Sequence, residues 1–267
     1  MIGRTAWPVR ALAWGLVGLL VLPFLVIVPI SLTDRAYLSL PDHALSLQHY
    51  RALFADTRWG EAFLRSLIIA LCAAAISVLL GTLCAFGCWR LAPRTAHAVR
   101  ALVLLPLIVP AIIQALAFYR TWSDLHLINT YTGVILANAI LAIPFVFIAV
   151  SSALSHLDPR LELAASGLGA SLGQTLRWVL IPLVLPGVFS GALFAFVAAF
   201  DELIVVLFIT TRGMDTLPKM MWISLDYDLT PEVACIAVLI GLLTIALLLA
   251  EFVFGADTKR QAGNSPH

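Results

Sequence analysis

The sequence predicts an all-α polytopic membrane protein with about six transmembrane helices. Of its 267 residues, 61% are hydrophobic and only 12% charged, about half the charged fraction of an ordinary soluble domain. The apolar residues are gathered into six runs, each approaching or exceeding the ~20 residues that cross a hydrocarbon core. A net charge of +1 gives no reason to expect a nucleic-acid partner. The chain has no glycine-rich loop ending in Gly-Lys-Ser/Thr, so it does not itself read as an ATPase.

The first run, Ala11 to Leu32, follows Arg4 and Arg10 and is too long for a signal-peptide core, so it reads as an uncleaved span kinked at Pro23 and Pro29. Asp34 to Arg65 is polar, with Tyr37, Tyr50 and Trp59 as interfacial aromatics. The second run is Ser66–Cys88, and the third is Leu102–Tyr119 with Pro106 and Pro110 inside it. The fourth is Thr132–Leu154, where Asn138 is expected to hydrogen-bond a neighbouring helix. The fifth runs from Leu183 to about Thr211, and the sixth from Val233 to about Ala250. This divides the chain into residues 1–65 (first helix and extracytoplasmic loop), 66–255 (a five-helix core) and 256–267 (a tail).

Six spans put both termini on one side. The short loop carrying Arg90, Arg94, His97 and Arg100 contains no acid, which marks it as cytoplasmic, with both termini on the same side. The opposite face then carries Asp34, Asp42, Asp56, Glu61, Asp124 and Asp215. A negative potential there would concentrate a cationic solute, although acids also collect on that face without any such role.

Between the fourth and fifth runs lies loop 155–182, rich in Ala and Gly. Asp158-Pro159 is a helix-start signal, and Pro182 marks the end of the segment. Its small side chains would let another backbone approach closely. The loop resembles the cytoplasmic Glu-Ala-Ala loop of ABC importer permeases: Ala164-Ala165, Gly169, Val179 and Ile181-Pro182 fall in the motif's register, while Leu163 stands at its Glu position with Glu162 one residue earlier. The resemblance implies a type I importer permease fold and an ATPase-coupling role for Glu162, Ala164, Ala165, Gly169 and Pro182.

Asp201-Glu202 interrupts the fifth run. Carboxylates at membrane depth face a cavity or a partner, so the pair reads either as substrate contact or as a helix break with one acid capping the second piece. Met220 to Asp228 holds Trp222, Asp226 and Tyr227, aromatics beside acids that suit an alkyl-ammonium group, or that simply anchor an interfacial helix. Cys72, Cys84, Cys88 and Cys235 lie in spans with no metal partner and read as packing residues.

Phe200-Asp201-Glu202-Leu203-Ile204-Val205, Thr216-Leu217-Pro218-Lys219-Met220 and Leu229-Thr230-Pro231-Glu232-Val233 resemble stretches of spermidine/putrescine-type ABC permeases. The resemblance implies a bacterial inner-membrane transport subunit, not an enzyme, for polyamines or similar small cations. It further implies no cofactor of the chain's own, a homologous second permease, two ATP-binding subunits and an extracytoplasmic binding protein. Related permeases carry ferric ion, sulfate or amino-acid derivatives. A self-contained carrier would not need the coupling loop. An intramembrane enzyme built on Asp201 or Glu202 lacks a companion nucleophile.

Overall fold

The structure, a computed structural model, describes residues 7–158, 160–211, 213–227 and 229–263. Arg4, Pro159, Arg212, Asp228 and the end of the tail, residues 264–267, lie outside the described residues. The described residues form twelve α-helices, numbered in chain order, and the chain divides into two compact units, residues 62–219 with 249–267, and residues 1–61 with 220–248.

In the larger unit, α3 (Thr57–Arg90) is followed by α4 (Pro93–Ile108) and α5 (Ala111–Asp124). The expected continuous third span is instead this pair, bent by 103°. Pro110 is the cause: it has no N–H and disfavours helix at the residue before it, so α4 stops and Val109 takes an extended conformation.

Helix α6 (Tyr131–Ser155) begins at Thr130, whose hydroxyl accepts from the Gly133 amide. It packs along α9 (Ile181–Phe200). Gly187 and Gly191 make that contact close: a Cβ on Gly191 would lie 2.9 Å from Val146 Cα, and one on Gly187 2.7 Å from Ala153 Cβ. Lipid supplies no hydrophobic drive for helices to associate, so this small-residue contact is where packing holds the pair. Val146, Phe147, Val150 and Leu154 of α6 form a core with Val184 and Ala195 of α9.

Between α6 and α9 run α7 (Arg160–Gly167), α8 (Leu172–Thr175) and one π turn, Leu176–Leu180, ahead of Pro182, which cannot donate to an α-turn. The fifth run does not continue as a helix. It breaks at residues 201–203 and resumes as α10 (Ile204–Ile209), which packs on α5. Val205, Val206 and Ile209 join Trp122 and Val134 in a second core. Asn129, in the left-handed region at φ 56°, ties down the end of α10. Its amide donates to the Ile209 carbonyl, and its side-chain oxygen accepts from Thr211.

The smaller unit holds α1 (Trp7–Ser31), α2 (Gln48–Ala55) and the first half of α12 (Glu232–Gly263); α11 (Leu217–Tyr227) runs from one unit into the other. Within it His49 is buried, contacting Glu232 Oε1 through Nδ1 at 3.2 Å and the Arg35 carbonyl through Nε2 at 2.8 Å. Cys235 is buried, and its thiol donates to the Ser31 carbonyl. In the α1–α2 loop, the Asp42 amide donates to Asp34 and holds that carboxyl below the usual range.

Among the described residues, four helical stretches are long and apolar enough to cross a membrane, and five if the bent α4–α5 pair counts as one. The sixth apolar run lies in α12, whose described apolar part, Glu232–Ala246, is shorter.

Candidate substrate cavity and coupling loop

Both helix breaks leave backbone groups without partners, and polar side chains take their place. At the first, the Pro106 carbonyl would accept from residue 110 in a continuous helix, but Pro110 has no N–H. Gln114 Nε2 supplies the missing donor at 2.7 Å and also reaches the Val109 carbonyl at 2.5 Å. At the second break, the last carbonyls of α9 and the first amides of α10 are exposed by the interruption. Asn138 Nδ2 donates to the Ala199 carbonyl at 3.2 Å, and Glu202 Oε1 accepts from the Val205 amide at 2.9 Å.

These three side chains line one cavity of about 180 Å³, with Pro106, Phe145 and Ala199 in its wall. Among the described residues, Glu202 is the only charged one in its lining, and none there is basic. A carboxylate, two amides and the ends of interrupted helices in an otherwise apolar wall match the way membrane transporters bind ions and small solutes.

The other predicted residues fall elsewhere. Asp201 is exposed at the end of α9, so the two adjacent acids separate and Glu202 alone lines the cavity. Trp222, Asp226 and Tyr227 are exposed on α11 and are not among the lining residues. The reading of Asn138 as an interhelical donor holds for its nitrogen. Gln114 was legible only as an amide in an apolar run four residues after Pro110.

In the loop, Asp158 Oδ1 accepts from the Arg160 amide and starts α7. The end of α7 is a Schellman motif: Ala170 donates to the Ala165 carbonyl and Gly169 to that of Ser166, with Gly169 at φ +81°. Gly169 is therefore needed for its left-handed backbone, whereas the sequence suggested only that it is small. The two alanines also differ, since Ala165 is buried against its own chain and Ala164 is exposed. Glu162 pairs with Arg90 at 2.5 Å, so its first partner is internal. Leu163 and Leu168 face outward, 70% and 89% exposed. Pro182 lies exposed in the first turn of α9.

Residues 77–256 match the family described as "Binding-protein-dependent transport system inner membrane component". The chain belongs to that family. The permease is 28% identical, over 86% of its own length and 89% of the relative's, to the spermidine/putrescine transport system permease protein PotC of Haemophilus influenzae. It is 29% identical to the putrescine transport system permease protein PotI of Escherichia coli, over 81% and 80% of the two chains. Among solved structures it resembles a chain of a bacterial ABC transporter that imports the acidic polysaccharide alginate, with a TM-score of 0.67, 14% identity and coverage of 95% and 96%. The permease is thus a membrane subunit of a binding-protein-dependent importer, with the all-helical importer fold and no enzymatic role. Because a relative of that fold handles a polyanion, the fold alone does not name the substrate.

Proposed function

We propose that the permease carries small alkyl-ammonium cations of the polyamine class. The observation behind this is the cavity at the broken helix, where one carboxylate, Glu202, is the only lining charge among the described residues. An anion such as sulfate would meet repulsion there, while an ammonium gains a partner in a partly desolvated site. The names of the two curated relatives agree. Asp201, Trp222, Asp226 and Tyr227 do not line this cavity; each offers a carboxylate or an aromatic face of its own to a passing cation.

In this reading loop 155–182 lies in the cytoplasm together with both termini. It docks on one of two ATP-binding subunits, which hold the ATP, while the permease carries no cofactor. The docking face consists of Ala164, Leu163 and Leu168, with Gly169 and Ala165 shaping the helix behind it. A homologous second permease completes the pathway, and an extracytoplasmic protein delivers the cation.

The test is uptake by vesicles holding the permease with its partner subunits and binding protein, given putrescine, spermidine, sulfate or ferric ion. Amine uptake is expected. Glu202→Gln keeps an oxygen to cap α10 but loses the charge, and should lower amine uptake about tenfold, the value of roughly 1.4 kcal/mol of ion pairing. Sulfate or ferric uptake without amine uptake, or full amine uptake by Glu202→Gln, would overturn the reading.

A further inference from the structure

Asn138 has two polar ends, and the structure uses one. Its Nδ2 donates to the Ala199 carbonyl. That assignment is fixed by chemistry, because a carbonyl only accepts and a flipped amide would set two acceptors against each other. Its Oδ1 has no hydrogen-bond partner among the described residues, although the side chain is 1% exposed. A buried polar atom without a partner is unfavourable, and a site that keeps one has a reason to.

Asn138 lines the cavity that Glu202 also lines. We propose that Asn138 Oδ1 and the Glu202 carboxylate together receive the N–H donors of one primary ammonium group of the substrate. A primary ammonium has three donors. Glu202 Oε1 already accepts from Val205, but a carboxylate has about four acceptor positions and retains capacity. Nothing basic in the lining competes for either acceptor. Asn138 is then a residue of selectivity: Glu202 attracts any cation, whereas the amide oxygen rewards one that carries N–H donors. Because Nδ2 holds the broken end of α9, the receiving oxygen is fixed relative to the helix break.

This assignment rests on the cation reading above, and the experiment separates the two. The full transporter, with its binding protein, is assayed for uptake of putrescine and of the bis-quaternary analogue of the same chain length, which has the charges but no N–H. The wild type should prefer putrescine. Asn138→Leu should lose about tenfold of that preference while co-purifying normally with its partners, and the binding protein's own preference cancels between wild type and variant. Should Asn138→Leu fail to assemble, Asn138→Ser is read in the same way, its hydroxyl too short to reach the substrate. An unchanged preference ratio in an assembled variant overturns the assignment alone. A wild-type transporter that takes up neither amine overturns the cation reading and the assignment with it.

Discussion

Arg90, the last residue of α3, and Glu162, in the first turn of α7, form an ion pair between positions 72 residues apart in sequence. Each side chain is about one-third exposed (29% and 33%), so the pair contributes little to stability, on the order of 0.2–1 kcal/mol. Its effect is positional, since it fixes the start of α7 against the end of a long membrane helix. The motif position that carries an acid in the resembled loop holds Leu163 here, and the acid one residue earlier is turned to the chain's own arginine.

Reversing one partner, Glu162→Arg or Arg90→Glu, should therefore leave the permease in the membrane at normal level and weaken both transport and association with the ATP-binding subunit. Reversing both should restore at least half of each. Uptake and pull-down on all four proteins decide it, and a double variant as poor as the worse single would remove the pair from coupling.

Gly169 gives a second prediction. A Cβ there meets nothing within 4 Å, yet φ is +81°. A substitution within the chain therefore encounters backbone strain and no clash. Gly169→Ala should cost about 1–2 kcal/mol at the end of α7, and Gly169→Asn less, because Asn tolerates the left-handed region. Limited proteolysis of the loop should rank wild type, Asn and Ala in order of rising cleavage. Equal lability of Asn and Ala would mean that φ is not what the position requires.

Most of the fold was legible because membrane helices announce themselves by length and apolarity. The run Thr132–Leu154 became α6 with ends one residue away. The third run was legible as apolar but not as broken, since hydropathy does not register a bend, whereas a break in the fifth was one of the two readings its acid pair left open. The break at Pro110 needed the carbonyl accounting that leads to Gln114, and a composition reading treats that residue as incidental. At Asp201-Glu202 the acids signalled an interruption, but which one would line a cavity depends on a side-chain direction fixed by the capping bond to Val205. Arg90 was visible only as a topological marker, because its partner lies across three helices of sequence. Burial of Ala165 and exposure of Ala164 likewise follow from how α7 lies on its neighbours.

The α6–α9 contact yields a third prediction, based on neighbouring atoms that cannot yield. At Gly191 an added Cβ would sit 2.9 Å from Val146 Cα, a backbone atom. Gly191→Leu should force the helices apart and lower stability by about 1–3 kcal/mol or more. Gly173→Ala, where nothing lies within 4 Å, should be neutral. Thermal unfolding in detergent compares them, and equal midpoints would show that the crossing is looser than these distances imply.

The last prediction concerns Lys219, a cation only 5% exposed. Its Nζ donates to Thr210 Oγ1 at 2.9 Å and the Thr211 carbonyl at 2.8 Å, and lies 3.1 Å from Asp215 Oδ1. The ammonium thus gathers the groups that follow the C-terminal end of α10, where a positive charge also suits the helix dipole. Removing it leaves Asp215, itself half-buried, without its counter-charge and a hydroxyl and a carbonyl without their donor. Lys219→Met should cost roughly 3–5 kcal/mol, the usual result of breaking a buried pair from one side. Lys219→Met combined with Asp215→Asn should cost less than the sum of the two single changes, because the second removes the stranded charge. Unfolding midpoints of the four proteins form the cycle. Strict additivity would mean that the two side chains act independently, leaving the carbonyl and hydroxyl contacts as the whole reason for burying a lysine at this point.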